Sequence, residues 1–146
     1  MTSVPLSLRS HEDTQRLAGV VAATISPGLT VGLEGDLGAG KTTFVRYLVE
    51  ALGGKGGDVS SPTFTLQYDY PIREGLTLEH WDLYRLSSTP PELLEAPGPK
   101  TVRVIEWPDR CPEVLRDIDL LIRIGLPGGD VRTVTLSGRV APSVLV

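Results

Sequence analysis

The amino-acid sequence predicts an α/β protein: a single domain over residues 1–146, built on a mixed parallel and antiparallel sheet, flanked by helices and closed by a C-terminal β-hairpin. Three observations carry that expectation. In the first half, segments with apolar residues at helical spacing alternate with short apolar segments of strand length. The second half consists of strand-length runs bounded by Pro and Gly. The chain has 146 residues, enough for one domain to bury roughly two-thirds of the surface its unfolded form exposes.

From the N-terminus, PLSLRS at residues 5–10 alternates as a short strand does, and Ser10 is placed to cap a helix over about Glu12 to Thr24. Leu17, Val20, Val21 and Ile25 form its apolar stripe, and Pro27 and Gly28 stop it. LTVGLEG, residues 29–35, is a buried strand. Phe44, Val45, Leu48, Val49 and Leu52 then recur at helical spacing until Gly53 and Gly54 end the helix. Three further strands are predicted at TFTLQYDY (63–70), LTLEHWDL (76–83) and TVRVIEW (101–107). Residues 87–100 contain four prolines and few apolar residues, which predicts a loop with at most one helical turn, around Glu92 to Glu95. DLLIRIGL and VRTVTLSG flank PGGD and predict the closing hairpin.

Composition excludes several classes. Fourteen basic against eighteen acidic residues give a net charge of −4, with only three lysines and no concentrated basic run. Direct grip on a nucleic acid normally needs such a face, because phosphate neutralisation supplies most of the affinity. Any nucleic-acid connection is therefore expected to run through a partner. The lone Cys111 cannot form an internal disulfide, no N-terminal stretch has signal-peptide character, and the apolar runs are too short to span a membrane. A cytoplasmic protein is the expectation.

The segment GDLGAGKTT, residues 35–43, carries the chemistry. Gly35, Gly40, Lys41 and Thr42 satisfy GxxxxGK[ST], the P-loop pattern, and lie between a predicted strand and a predicted helix as the mechanism requires. The predicted sheet is accordingly of P-loop NTPase type. Backbone amides from Gly38, Ala39 and Gly40 onward can approach phosphate oxygens closely, and the helix N-terminus adds partial positive charge. Lys41 would reach the outer phosphates, the Thr42 hydroxyl would ligate Mg²⁺, and Thr43 could donate to an inner phosphate.

Metal and water need further side chains. Asp82 and Glu106 each end an apolar strand, where ligands gather in such sheets, and either could hold the metal while the other holds it or orients water. In SSPTF, residues 60–64, Thr63 is placed to sense a terminal phosphate. His80 has no second histidine or cysteine nearby and reads as a packing or hydrogen-bonding residue rather than a metal ligand. Cys111 reads as inert, and Trp81 and Trp107 as packing residues. An exposed, ion-pairing Arg85 is as compatible with the sequence as a site role.

Four motifs in order, GDLGAGKTT, SPTF, HWDLYRL and IEWP, resemble the bacterial TsaE (YjeE-like) ATPases, and the likeness runs from about Pro5 to the final strands. The resemblance implies a small Mg²⁺-dependent P-loop ATPase that works with TsaB and TsaD in forming N6-threonylcarbamoyladenosine beside the anticodon of tRNA. It implies tRNA contact only through that complex, with ATP hydrolysis supporting the complex rather than group transfer by this chain. Lys41, Thr42 and Glu106 would take nucleotide and magnesium roles, Asp82 would join them, and His11 and Arg132 would face the base and ribose. The chain departs from the pattern after DLYRL. An acidic helix and a Gly-containing turn are replaced by the shorter, proline-rich SSTPPELLEAPGPK, a loop that could face a partner. Two other activities share the P-loop. A small-molecule kinase usually needs an arginine-rich lid, and Arg46, Arg73 and Arg85 are scattered; a GTP switch commonly carries an NKxD motif, and the chain has no asparagine.

Overall fold

The computed structural model describes residues 6–36, 39–60, 66–128 and 131–140. The apolar run after Gly28 forms β2 (Thr30–Glu34), which lies at the centre of a seven-stranded sheet. On one side it pairs in parallel with β5 (Thr101–Glu106), which pairs in parallel with β4 (Thr77–Asp82). On the other it pairs in parallel with β6 (Leu120–Gly128). Antiparallel strands close both edges. β3 (Gln67–Pro71) lies on β4, while β7 (Val131–Ser137) lies on β6 and β1 (Leu6–Leu8) on β7. β2 reads as an unbroken apolar run because a central parallel strand is covered on both faces.

Two helices cover one face. In α1 (His11–Thr24) the Ser10 side chain accepts the amide of Asp13 at 3.2 Å, the cap its sequence predicts. Its buried stripe is Leu17, Ala18, Val21 and Ala22. Val20 is only half-buried and Ile25 packs at the margin, because α1 turns its small alanines towards α2 (Lys41–Ala51) and the sheet. α2 buries Phe44, Val45, Leu48 and Val49 and stops just before Gly53 and Gly54. Among the described residues the opposite face has only short covers: 3-10 turns at Pro91–Leu94 and Pro108–Arg110, and a one-turn helix α3 (Pro112–Leu115). A second, smaller apolar cluster of Trp81, Leu83, Leu93, Ile105, Cys111 and Val114 lies under them.

The hairpin and the single turn near Glu92 form as predicted. The strand expected at 63–70 starts only at Gln67. Leu66 has φ 73°, a left-handed conformation incompatible with a strand, and residues 61–65 lie outside the described residues. Among the described residues no helix is long and apolar enough to cross a membrane.

Candidate active site

β2 runs straight into the glycine loop, and α2 begins where the loop ends. Gly35 admits no side chain: a Cβ there would stand 2.6 Å from the carbonyl oxygen of Ile124 on β6. Gly40, the residue before α2, has φ 103°, a region that L side chains avoid. These two glycines let the loop fold tightly against the sheet and present the start of α2. Gly38 lies outside the described residues.

Lys41 is the first residue of α2 and only 5% exposed. Its ammonium donates to the carbonyl oxygens of Gly35 and, at 3.1 Å, Asp36. The indole of Trp107 covers it, with Nζ 4.4 Å from the ring centroid. Burial lowers the Lys41 pKa, and the carboxylates of Glu106, Asp82, Asp36 and Asp109 oppose that shift. The loop thus keeps a buried cation beside four acidic groups.

Thr42 and Glu106 are brought together across 64 positions of sequence, the hydroxyl donating to Glu106 Oε2 at 3.2 Å. Glu106 ends β5, and its register partner on β4 is Asp82, so both carboxylates stand at the carboxyl ends of adjacent parallel strands. Asp82 is half-buried and accepts the amide of Tyr84 at 2.9 Å. Burial raises its pKa, the Tyr84 amide lowers it, and the neighbouring Glu106 charge raises it further. His80, fully buried, stands 2.5 Å from Glu106 Oε2 through Nε2. Among the described residues no three His, Cys, Asp or Glu side chains cluster as a metal cage. Thr42, Glu106 and Asp82 instead offer a hydroxyl and two carboxylates, an all-oxygen set suited to a hard cation that keeps its waters, as Mg²⁺ does, and unsuited to zinc.

On another side of the loop a cleft of about 270 Å³ is lined by His11, Ala39, Gly40, Thr43 and Arg132, together with Ile124. Arg132 Nε donates to the Ala39 carbonyl at 2.7 Å, and His11 Nδ1 lies 3.0 Å from the Tyr47 hydroxyl. His11 and Arg132, far apart in the chain, therefore share a wall with the loop. Thr63 lies outside the described residues.

Comparisons with known proteins bear on this geometry. The family model described as threonylcarbamoyl adenosine biosynthesis protein TsaE matches residues 8–133. The chain is 39% identical over 129 residues to the tRNA threonylcarbamoyladenosine biosynthesis protein TsaE of Bacillus subtilis, covering 86% of this chain and 80% of that one. The chain belongs to the TsaE family. The Treponema pallidum protein of the same name is 37% identical over 136 residues, 88% of this chain and 96% of the relative. With the Rickettsia conorii protein the identity is 38% over 113 residues, 75% of this chain, and the match spans 63% of the relative's length. The crystal structure of Bacillus subtilis YdiB aligns with a TM-score of 0.68 at 29% identity, over 94% of this chain and 86% of that one.

Within this TsaE fold, two contacts escaped the sequence reading. Trp107, read as a packing residue, has φ 61° and ψ 48°, and that left-handed backbone goes with an indole over Lys41 and 4.7 Å from the Tyr84 ring centroid. The local signal was only partial: Pro108 steers the residue before it out of the right-handed helical region, but towards extended backbone rather than the left-handed one Trp107 adopts. The His80–Glu106 contact had no such signal, because it depends on the order of strands in the sheet. Cys111 and Trp81 are buried in the second apolar cluster.

Proposed function

We propose that this chain is a cytoplasmic, Mg²⁺-dependent ATP-hydrolysing subunit that acts with TsaB and TsaD in forming N6-threonylcarbamoyladenosine in tRNA, touching tRNA only through that assembly. The observation that carries the reading is the convergence of Lys41, Thr42, Asp82 and Glu106 where a glycine loop meets a helix N-terminus. Membership of the TsaE family and the names of its relatives support the tRNA role.

Thr42 and Glu106, with Asp82, would hold Mg²⁺, which when bound supplies neutralising charge to the triphosphate. The chain's own groups account for the rest. Amides of Gly38, Ala39 and Gly40 and the hydroxyl of Thr43 bind phosphate oxygens. The Lys41 ammonium serves as the point charge for the outer phosphates, shielded from solvent by Trp107. Asp82, whose burial makes it a stronger base than an exposed carboxylate, orients the attacking water. Thr63 senses the terminal phosphate, and His11 and Arg132 line the cleft for ribose and base.

Calorimetry and phosphate release test the reading. Lys41→Ala is expected to abolish nucleotide binding, and Glu106→Ala to bind ATP without turnover. Continued hydrolysis by Lys41→Ala would refute the site. Adding TsaB and TsaD should raise phosphate release, and an unchanged rate would remove the partner assignment. Transfer of phosphate to a metabolite instead of water would mark a small-molecule kinase.

A further inference from the structure

We propose that His80 is a positioning residue for the metal side of this site, holding the Glu106 carboxylate in place through Nε2, an inference that rests on the MgATP reading above. β4 alternates Leu78, His80 and Asp82 onto the helix-covered face, and β5 places Glu106 in register with Asp82 on the same face. One oxygen, Glu106 Oε2, accepts both His80 Nε2 at 2.5 Å and the Thr42 hydroxyl at 3.2 Å. Glu106 Oε1 has no hydrogen bond among the described residues. The carboxylate is therefore fixed from one side, with its second oxygen left for other partners. A carboxylate group rotates in a broad, shallow well, and a single hydroxyl at 3.2 Å would restrain it weakly.

The rest of the imidazole argues that Nε2 is what the position requires. His80 is fully buried, and its Nδ1 is the one buried side-chain nitrogen or oxygen among the described residues with no hydrogen-bond partner. Leucine or phenylalanine would fill an apolar site without stranding a polar atom, so a purely packing role would favour them. The ring is itself held. Tyr70 lies 6.0 Å away between centroids, and its hydroxyl donates to the Ser60 carbonyl at 3.2 Å while accepting the Ser60 amide at 3.3 Å. A buried partner that orients a metal-side carboxylate typically controls metal affinity.

The experiment uses the full chain saturated with a non-hydrolysable ATP analogue, with Mn²⁺ as the probe and free Mn²⁺ read by electron paramagnetic resonance. His80→Leu is expected to weaken Mn²⁺ binding about tenfold or more. Analogue affinity in EDTA should stay within about twofold, and His80→Gln, which keeps a donor near Nε2, should recover most of the loss. Unchanged Mn²⁺ affinity in His80→Leu overturns the proposal. So does an equal loss of analogue affinity with and without metal, which is the signature of a merely structural role. Should His80→Leu fail to fold, proton NMR of the free wild-type protein decides: a downfield imidazole N–H resonance that moves upfield in Glu106→Gln supports the contact, and its absence overturns it. A wild-type protein that binds no analogue refutes the nucleotide reading instead, a result separable from the His80–Glu106 contact because the resonance is read without ligand.

Discussion

The two faces of the sheet treat charge in opposite ways. On the helix-covered face, β4 and β5 present Leu78, His80 and Asp82 beside Val102, Val104 and Glu106, and α2 adds Lys41. On the opposite face the same strands present Glu79, Trp81, Arg103 and Ile105. There Arg103 and Glu79 satisfy one another, although burial and the Glu79 charge raise the pKa of the neighbouring Asp69 on β3. Arg103 donates to Glu79 at 3.0 Å and to the Glu95 carbonyl at 2.7 Å, and the Trp81 indole donates to Glu79 at 2.9 Å. On the helix face burial opposes the charged forms of both Lys41 and Asp82. Charges closed on themselves fasten short turns to a sheet, whereas charges held at a cost beside a helix N-terminus are what the proposed nucleotide site would call for.

That contrast can be broken most severely in the helix-side core. Phe44, on α2, is fully buried between helix and sheet. Phe44→Ala should cost about 3–5 kcal/mol of unfolding free energy, measured by urea titration, and should loosen the loop that α2 anchors. A cost under about 1 kcal/mol would show that α2 is not packed as described.

The next effect concerns the boundary between the faces. Trp107 leaves β5 in a left-handed conformation with φ 61°, a strain glycine would not feel. Trp107→Gly and Trp107→Ala both lose the indole over Lys41, so their difference isolates the backbone. The glycine variant should be the more stable by about 1–2 kcal/mol, and equal stability would remove the strain.

These effects show how far the sequence could be read. Ser10, Gly35, Gly40 and the run from Phe44 to Leu52 revealed cap, loop and helix because each acts through neighbours in the chain. The hairpin was legible for the same reason, although its register slips between Gly125 and Gly128. The Thr42–Glu106 and His80–Glu106 contacts span 64 and 26 positions and exist because β2, β5 and β4 are neighbours in the sheet, an order no local pattern encodes. The motif order in the chain pointed to Glu106 and Asp82 as partners of the loop, but not to His80 as the group that holds Glu106. α3 has four residues, too few for a helical period to show. Leu66 breaks into the predicted strand just before its observed start at Gln67 through its backbone conformation, which the alternating sequence does not report.

A smaller effect sharpens the account of charge on the helix face. Burial holds the Asp82 carboxyl above its ordinary value of 3.8, so its ionised form is the disfavoured one in the folded chain. Asp82→Asn keeps an acceptor for the Tyr84 amide and removes the charge. The variant should be more stable than wild type at pH 7. As pH falls through the raised folded-state value the wild type takes up its proton and the gap narrows. Below 3.8, where the unfolded chain is protonated too, the gap closes. Thermal midpoints across that range check the sign, and the half-exposed setting keeps the effect below that at Trp107. A variant less stable than wild type at pH 7 would mean that Asp82 is satisfied by the protein alone, like the carboxylate of Glu79 on the other face.

The smallest effect tests the opposite face. Leu93 and Leu94 are adjacent in the turn Pro91–Leu94, yet Leu93 is 3% exposed, packed into the second apolar cluster, while Leu94 is 56% exposed. A 3-10 turn points successive side chains in different directions, so one residue can anchor the proline-rich loop while its neighbour faces water. Leu94→Ser should therefore change unfolding free energy by no more than about 0.5 kcal/mol, because it removes almost no contact within the chain. ATP binding should be untouched as well, since the turn covers the face turned away from Lys41 and Thr42. A loss above about 1 kcal/mol by urea titration would place Leu94 inside the second cluster and make that face as fully covered as the one beneath α1 and α2.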